Sequence, residues 1–181
     1  MKSQPHKRLM SYAQACLIAA ALAPLDQEVA LGQDLPHSVT PMQPAAATDV
    51  DILSAIATNP DLSTFYRAVT LAGMGSYLRA AKTATVFAPS NAAFAKWPAE
   101  DLERLMAYPP ALQTLIEFHI SEAAITYREA QDLDYIVMLT SSLVSVDFAD
   151  NHLWINDALV VRHDLRARNG IIHVIDTVLR P

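Results

Sequence analysis

Six histidines and nineteen acidic side chains are the groups in this 181-residue chain that could bind a metal or do acid–base work. A metal site needs three or four converging ligands, usually announced by short spacings such as H-x-H or H-E-x-x-H. No such spacing occurs, and the single cysteine, Cys16, has no second thiol. His119 shares a helical spacing with Leu112, Leu115 and Ile116, while His173 alternates with Ile171 and Ile175. These patterns predict core histidines, His119 neutral and hydrogen-bonded and His173 half-buried in a sheet. Nucleophilic chemistry has as little support: G-x-S-x-G is missing, and Ser141 and Ser142 fall in a polar turn. Asp132 and Asp134 read as a solvated acidic loop rather than a carboxylate pair. Gly73-Met74-Gly75 lacks the lysine of a phosphate loop. The residues therefore predict no catalytic group, no metal and no cofactor.

Charge is more informative. Arg162-His163-Asp164-Leu165-Arg166-Ala167-Arg168 gathers three arginines where strand patterning does not require charge. Between residues 117 and 157 stand eight acids and one base, Arg128. Either the arginines balance that acidic stretch by intramolecular pairing, or Arg162, Asp164, Leu165, Arg166 and Arg168 form a patch for a partner. The net charge of −6 argues against a general nucleic-acid binder, which needs a basic face.

Helices come first in the elements that must position these groups. Thr48 reads as the N-cap of a helix carrying Val50, Ile52, Leu53 and Ile56 and ending at Asn59-Pro60. A second helix carries Leu62, Phe65, Val69 and Ala72, with Gly73 as its stop, and a shorter piece spans 74–81. A strand over 84–88 follows. Ser90 then caps a helix with Phe94 inward, and helices are predicted over 99–106 and from Pro109-Pro110 onward. Beyond Ile120 the runs become β-type, over 135–139, 143–148, 152–155, 159–163 and 171–178. Asp150-Asn151 and Asn156-Asp157 supply turns. Helices followed by a strand meander indicate an α+β domain.

Two segments stand out: Thr85-Val-Phe-Ala-Pro-Ser-Asn-Ala-Ala-Phe94 and Asn169-Gly-Ile-Ile-His-Val-Ile-Asp-Thr-Val-Leu-Arg-Pro181. Pro89 ends strand pairing by lacking a donor, Asn91 is expected to bond backbone near its turn, and Gly170 to adopt a positive φ. With Leu115-Ile-Glu-Phe-His-Ile120 and Trp154-Ile-Asn-Asp-Ala-Leu-Val160, they resemble the signature segments of the fasciclin (FAS1) domain family. The resemblance implies a wedge-shaped β-sandwich with N-terminal and central helices packed alongside. It makes Pro89, Asn91, Asn169, Gly170 and His173 structural signature residues. It also implies an extracytoplasmic, non-catalytic adhesion or interaction module. In some animal members an Asp-Ile pair before the Asn-Gly and a Tyr-His pair are linked to integrin recognition. Asp164-Leu165 and Phe118-His119 stand at the matching positions here, with Leu165 and Phe118 departing from the pattern.

Residues 1–32 read as an export signal, with Lys2, Lys7 and Arg8 ahead of an apolar run and small residues at Ala21-Leu22-Ala23 and Ala30-Leu31-Gly32. Residues 33–47 form a Pro/Ala-rich linker, and 48–181 the domain. The expected function is a secreted or periplasmic module that binds a protein or a cell-surface or matrix component, with no membrane span in the mature chain. The alternative is a small-ligand binding protein or hydrolase on the same sandwich.

Overall fold

The computed structural model describes residues 49–181. The export-signal segment, the linker and the cap expected at Thr48 all lie outside them. Helix α1 (Ile52–Ala57) is instead capped by Asp51, whose Oδ1 accepts the Ser54 N–H at 2.9 Å. A 3-10 turn (Pro60–Leu62) leads into α2 (Ser63–Leu71), which buries Phe65, Ala68 and Val69. Gly73, at φ +72°, closes that helix while the Met74 N–H reaches the Val69 carbonyl. Then follow α3 (Gly75–Ala80), β1 (Ala84–Pro89), α4 (Asn91–Ala95) capped by Ser90, α5 (Ala99–Ala107) and α6 (Pro109–Glu117). The C-terminal half holds β2 (Ile120–Ser121), α7 (Tyr127–Ala130), β3 (Tyr135–Val137), β4 (Leu143–Ala149), β5 (His152–Ile155), β6 (Ala158–Ala167) and β7 (Gly170–Ile175).

The strands form one sheet in the order β2-β1-β7-β6-β5-β4-β3, parallel at β1–β7 and antiparallel elsewhere. At the parallel centre the two-residue side-chain period sorts two cores. Val86, Ala88, Ile172 and Val174 join the helices in the first. Phe87 and Ile175 join Ile136, Val144, Leu153 and Ile155 in the second. A single cluster reaching from β1 to β3 requires the sheet to curl over it, and two irregularities in β6 accompany that bend. This is the expected α+β wedge: a curled sheet enclosing one core, with helices packed over the other.

Several local expectations change. β3 is shorter than predicted, and β6 is four residues longer at its C-terminal end, because its irregular stretch interrupts the alternation by which a strand is recognised. β7 stops at Ile175, and Val178 and Leu179 turn back into the first and second cores respectively. Gly170 does not have a positive φ. Its hydrogen faces the backbone of β1, and a Cβ would be driven into the Ala84 carbonyl oxygen and to 2.7 Å from Ile52 Cδ1. Glycine is required there by close approach, not by turn conformation. Asn91 bonds far from its own turn, accepting the Thr64 N–H and donating to the Pro60 carbonyl, each at 2.9 Å. It ties the start of α4 to the start of α2.

Candidate interaction surface

The charged segment 162–168 runs along β6 to its end at Ala167, with Arg168 in the turn beyond, and the register against β7 shifts between Val160 and Arg162 and again between Arg162 and Leu165. Asp164 sits in the second irregularity with φ 56°, a left-handed conformation that aspartate tolerates better than most residues. Its side chain is anchored: Oδ1 accepts the Tyr127 N–H at 2.9 Å, and Oδ2 lies 3.1 Å from His163 Nδ1. Partial burial raises the Asp164 carboxyl's pKa. The Tyr127 amide, His163 and His173 outweigh that effect and hold it below the ordinary aspartate value. The His163 ring stacks on Tyr127 at 3.9 Å, and Phe148 meets Tyr127 edge-on at 6.4 Å. α7, fixed by the reciprocal Thr126–Glu129 capping box, thus braces this stretch of β6 from one side.

On its other side β6 borders a groove of about 520 Å³ shared with α1 and the 3-10 turn. Val50, Asn59, Pro60, Arg162, Leu165 and Arg166 are among its walls, and the buried Ile172 also lines it. Arg162 pairs with Asp61 at 2.9 Å, both well exposed, a contact worth about 0–1 kcal/mol. The arginine thus pairs with the helical layer and not with the acidic strand region. Arg166 and Arg168 are exposed, and the Arg168 N–H donates to the Val50 carbonyl at 2.8 Å, fixing the groove's rim. Sequence reasoning missed Asn59, Pro60 and Asp61 as neighbours of this segment, and Tyr127 as its brace. The capping-box spacing of Thr126 and Glu129 is the one local signal that marks the brace.

Phe118 and His119 lie elsewhere, buried at 5% and 0% exposure. His119 follows the end of α6 and is not part of it. Its Nδ1–H donates to the Leu115 carbonyl at 2.7 Å and its Nε2 accepts the Leu179 N–H at 3.0 Å, which assigns one neutral tautomer. Burial, only partly opposed by the Leu115 carbonyl, pushes its pKa down to about 4. His173 is fully buried rather than half-buried, stacked on Phe87 at 5.5 Å. Its Nε2–H donates to the Ile125 carbonyl at 2.8 Å, and its Nδ1 accepts the Asp164 N–H at 3.3 Å. Burial lowers its pKa too, against the Ile125 carbonyl and Asp164. Both imidazoles complete backbone hydrogen bonding inside the domain. Among the described residues no group of three or more His, Cys, Asp and Glu converges as metal ligands would.

A helical layer over a curled sheet, with its last strand inserted parallel to its first, is the architecture of a FAS1 domain. The chain belongs to the fasciclin domain family, whose profile matches residues 60–181. Protein sll1483 of Synechocystis sp. is 34% identical over 140 residues, covering 75% of this chain and 77% of that protein. The match to human periostin is 30% identical over 67% of this chain and 15% of periostin. Transforming growth factor-beta-induced protein ig-h3 of Sus scrofa is 34% identical over 65% of this chain and 17% of its own length. Among solved structures, a FAS1 domain pair from the insect cell adhesion molecule Fasciclin I superposes with a TM-score of 0.66 at 20% identity. That match covers 73% of this chain and 51% of the pair.

Proposed function

We propose that this domain is a non-catalytic, extracytoplasmic interaction module that docks a protein or a cell-surface or matrix component on the groove beside β6. The carrying observation is the irregular strand itself. Asp164 is pinned from below by Tyr127 and His173, while Arg162, Leu165 and Arg166 border an open groove. A backbone irregularity held by part-buried hydrogen bonds to Tyr127 and His173 re-aims the side chains beside it. The resemblance to a cell adhesion molecule supports the same reading, as does the basic, apolar start of the chain for export. Phe118 and His119 are buried away from this groove and are not part of the proposed surface. No helix among the described residues is long and apolar enough to cross a membrane.

The hydrolase alternative needs a nucleophile and a base within reach of each other. The groove walls offer one hydroxyl, Thr58, whose Oγ1 is engaged with the Ser54 and Ala55 carbonyls at 3.0 and 3.2 Å. Among the described residues no imidazole or amine lines the groove. The test is capture from the native envelope fraction by wild type and by Arg166→Glu/Arg168→Glu at matched melting temperature. Docking on this surface requires a partner lost by the variant and weakened by salt. Turnover of ester, peptide or glycoside substrates that survives the double change would overturn the reading.

A further inference from the structure

We propose that the outer edge of β3 is a strand-addition site for a cationic, extended segment of a partner protein. β3 ends the sheet order, with β4 on one side only. The Val146 N–H donates to the Asp134 carbonyl and the Met138 N–H to the Ser142 carbonyl, each at 2.9 Å. In an antiparallel pair bonded residues alternate, so these two bonds and the Ile136–Val144 pair between them face β4. The N–H and C=O groups of Tyr135 and Val137 therefore point to the outer edge, which is open at these two residues and closes at Leu139, whose N–H donates to the Ile120 carbonyl of β2 at 2.7 Å. Among the described residues none of the backbone bonds reaches them outside the β3–β4 ladder. The opposite end of the sheet differs: Ile120 and Ser121 of β2 are both buried.

The side chains beside this edge suit a β-forming occupant. Tyr135, Val137 and Leu143 are 62%, 59% and 63% exposed, and Val137 lies directly opposite Leu143 on the outer face. Three apolar side chains on one short hairpin give an added strand a surface to cover. The surrounding charge selects the occupant: Asp132 and Asp134 lead into β3, Asp147 continues the outer face of β4, and Arg128 is the sole base between 117 and 157. Lysines or arginines alternating with apolar residues match both features. A second copy of this chain would bring the same acids to the seam, so charge favours a heterologous cationic strand.

The probe is a fluorescein-labelled peptide, Lys-Val-Lys-Val-Arg-Val-Lys, titrated against the full chain by anisotropy. Its control has proline for each valine, which keeps the charge but cannot enter a ladder. Val137→Pro removes the outward N–H without touching a β3–β4 bond, and should weaken binding about tenfold or more. Asp132→Asn/Asp134→Asn should weaken it and flatten its salt dependence. If Val137→Pro fails to fold, hydrogen exchange at Tyr135 and Val137 in the wild type decides: slowing by the valine peptide supports strand addition, and unchanged exchange overturns it. Equal binding of the two peptides, no binding of either, or a wild-type dimer dissolved by Val137→Pro would each overturn the proposal.

Discussion

Asn169 reaches Ile52 across 117 positions of sequence: its Oδ1 accepts the Ile52 N–H at 2.9 Å. Its Nδ2 donates to the carbonyls of Leu78 and Ala81, at 2.7 and 3.2 Å. One buried amide thus satisfies the start of α1 and the end of α3 while standing in the turn between β6 and β7. The free N–H groups of a helix start and the free carbonyls of a helix end both need partners, and a residue carrying donor and acceptor on one planar group serves both.

Asn169→Ala should therefore destabilise the fold by about 3 kcal/mol, since two buried backbone groups and one part-buried carbonyl lose their partner together. Asn169→Asp keeps the acceptor, loses both donors, and places a carboxylate against two carbonyls, so it should be at least as damaging. Urea midpoints of the two variants against wild type check this.

Gly170→Ala and Gly170→Asn should be comparably harmful, by roughly 3 kcal/mol or more, because any Cβ meets the Ala84 carbonyl. At a position chosen for its left-handed backbone, asparagine would be tolerated far better than alanine. Melting temperatures that rank asparagine close to glycine would restore the turn explanation.

His119 titrates near pH 4 in the folded chain and near its ordinary 6.5 when unfolded. Between those values the unfolded chain takes up a proton that the folded one refuses, so stability present above about pH 6.5 is lost as the pH falls. Protonation would also turn Nε2–H against the Leu179 N–H. The expected loss from pH 7 to 4 is roughly 3 kcal/mol. His119→Ala should lower stability at pH 7 by about 2 kcal/mol and flatten this slope in denaturant titrations. A residual slope of the same sign remains from His173, whose pKa burial also lowers.

Asp164→Ala should cost about 2 kcal/mol, through the lost Tyr127 hydrogen bond and a left-handed backbone that alanine resists. Asp164→Asn retains an acceptor and tolerates that backbone, so its melting temperature should lie close to wild type. A partner whose binding needs the negative charge would nonetheless be lost by Asp164→Asn, separating support of the surface from contact with it.

The elements legible in the sequence were those with local causes. His152–Ile155 stands where its apolar alternation put it, between turns whose Asp150, Asn151 and Asn156 all take positive φ. Ser90 caps α4 and Pro109 opens α6, as their chemistry requires. β2, two residues long, carries no period to read. α7 is a single turn betrayed only by Thr126 and Glu129. The groove was illegible for another reason: Asp61 and Arg162 meet across 101 positions, and neither neighbourhood encodes the other. The arginine segment was visible as charge, but its bend was not, because two register shifts erase the alternation a strand shows.

The placement of β7 has a consequence for assembly. It is the last of the described strands and yet stands between β1 and β6, so neither core can close before residues 170–175 arrive. The ordering steps that matter most are long-range ones, made late, and such topologies fold slowly. A domain emerging from the ribosome, or moving N-terminus first through a narrow channel, would stay threadable until β7 came free.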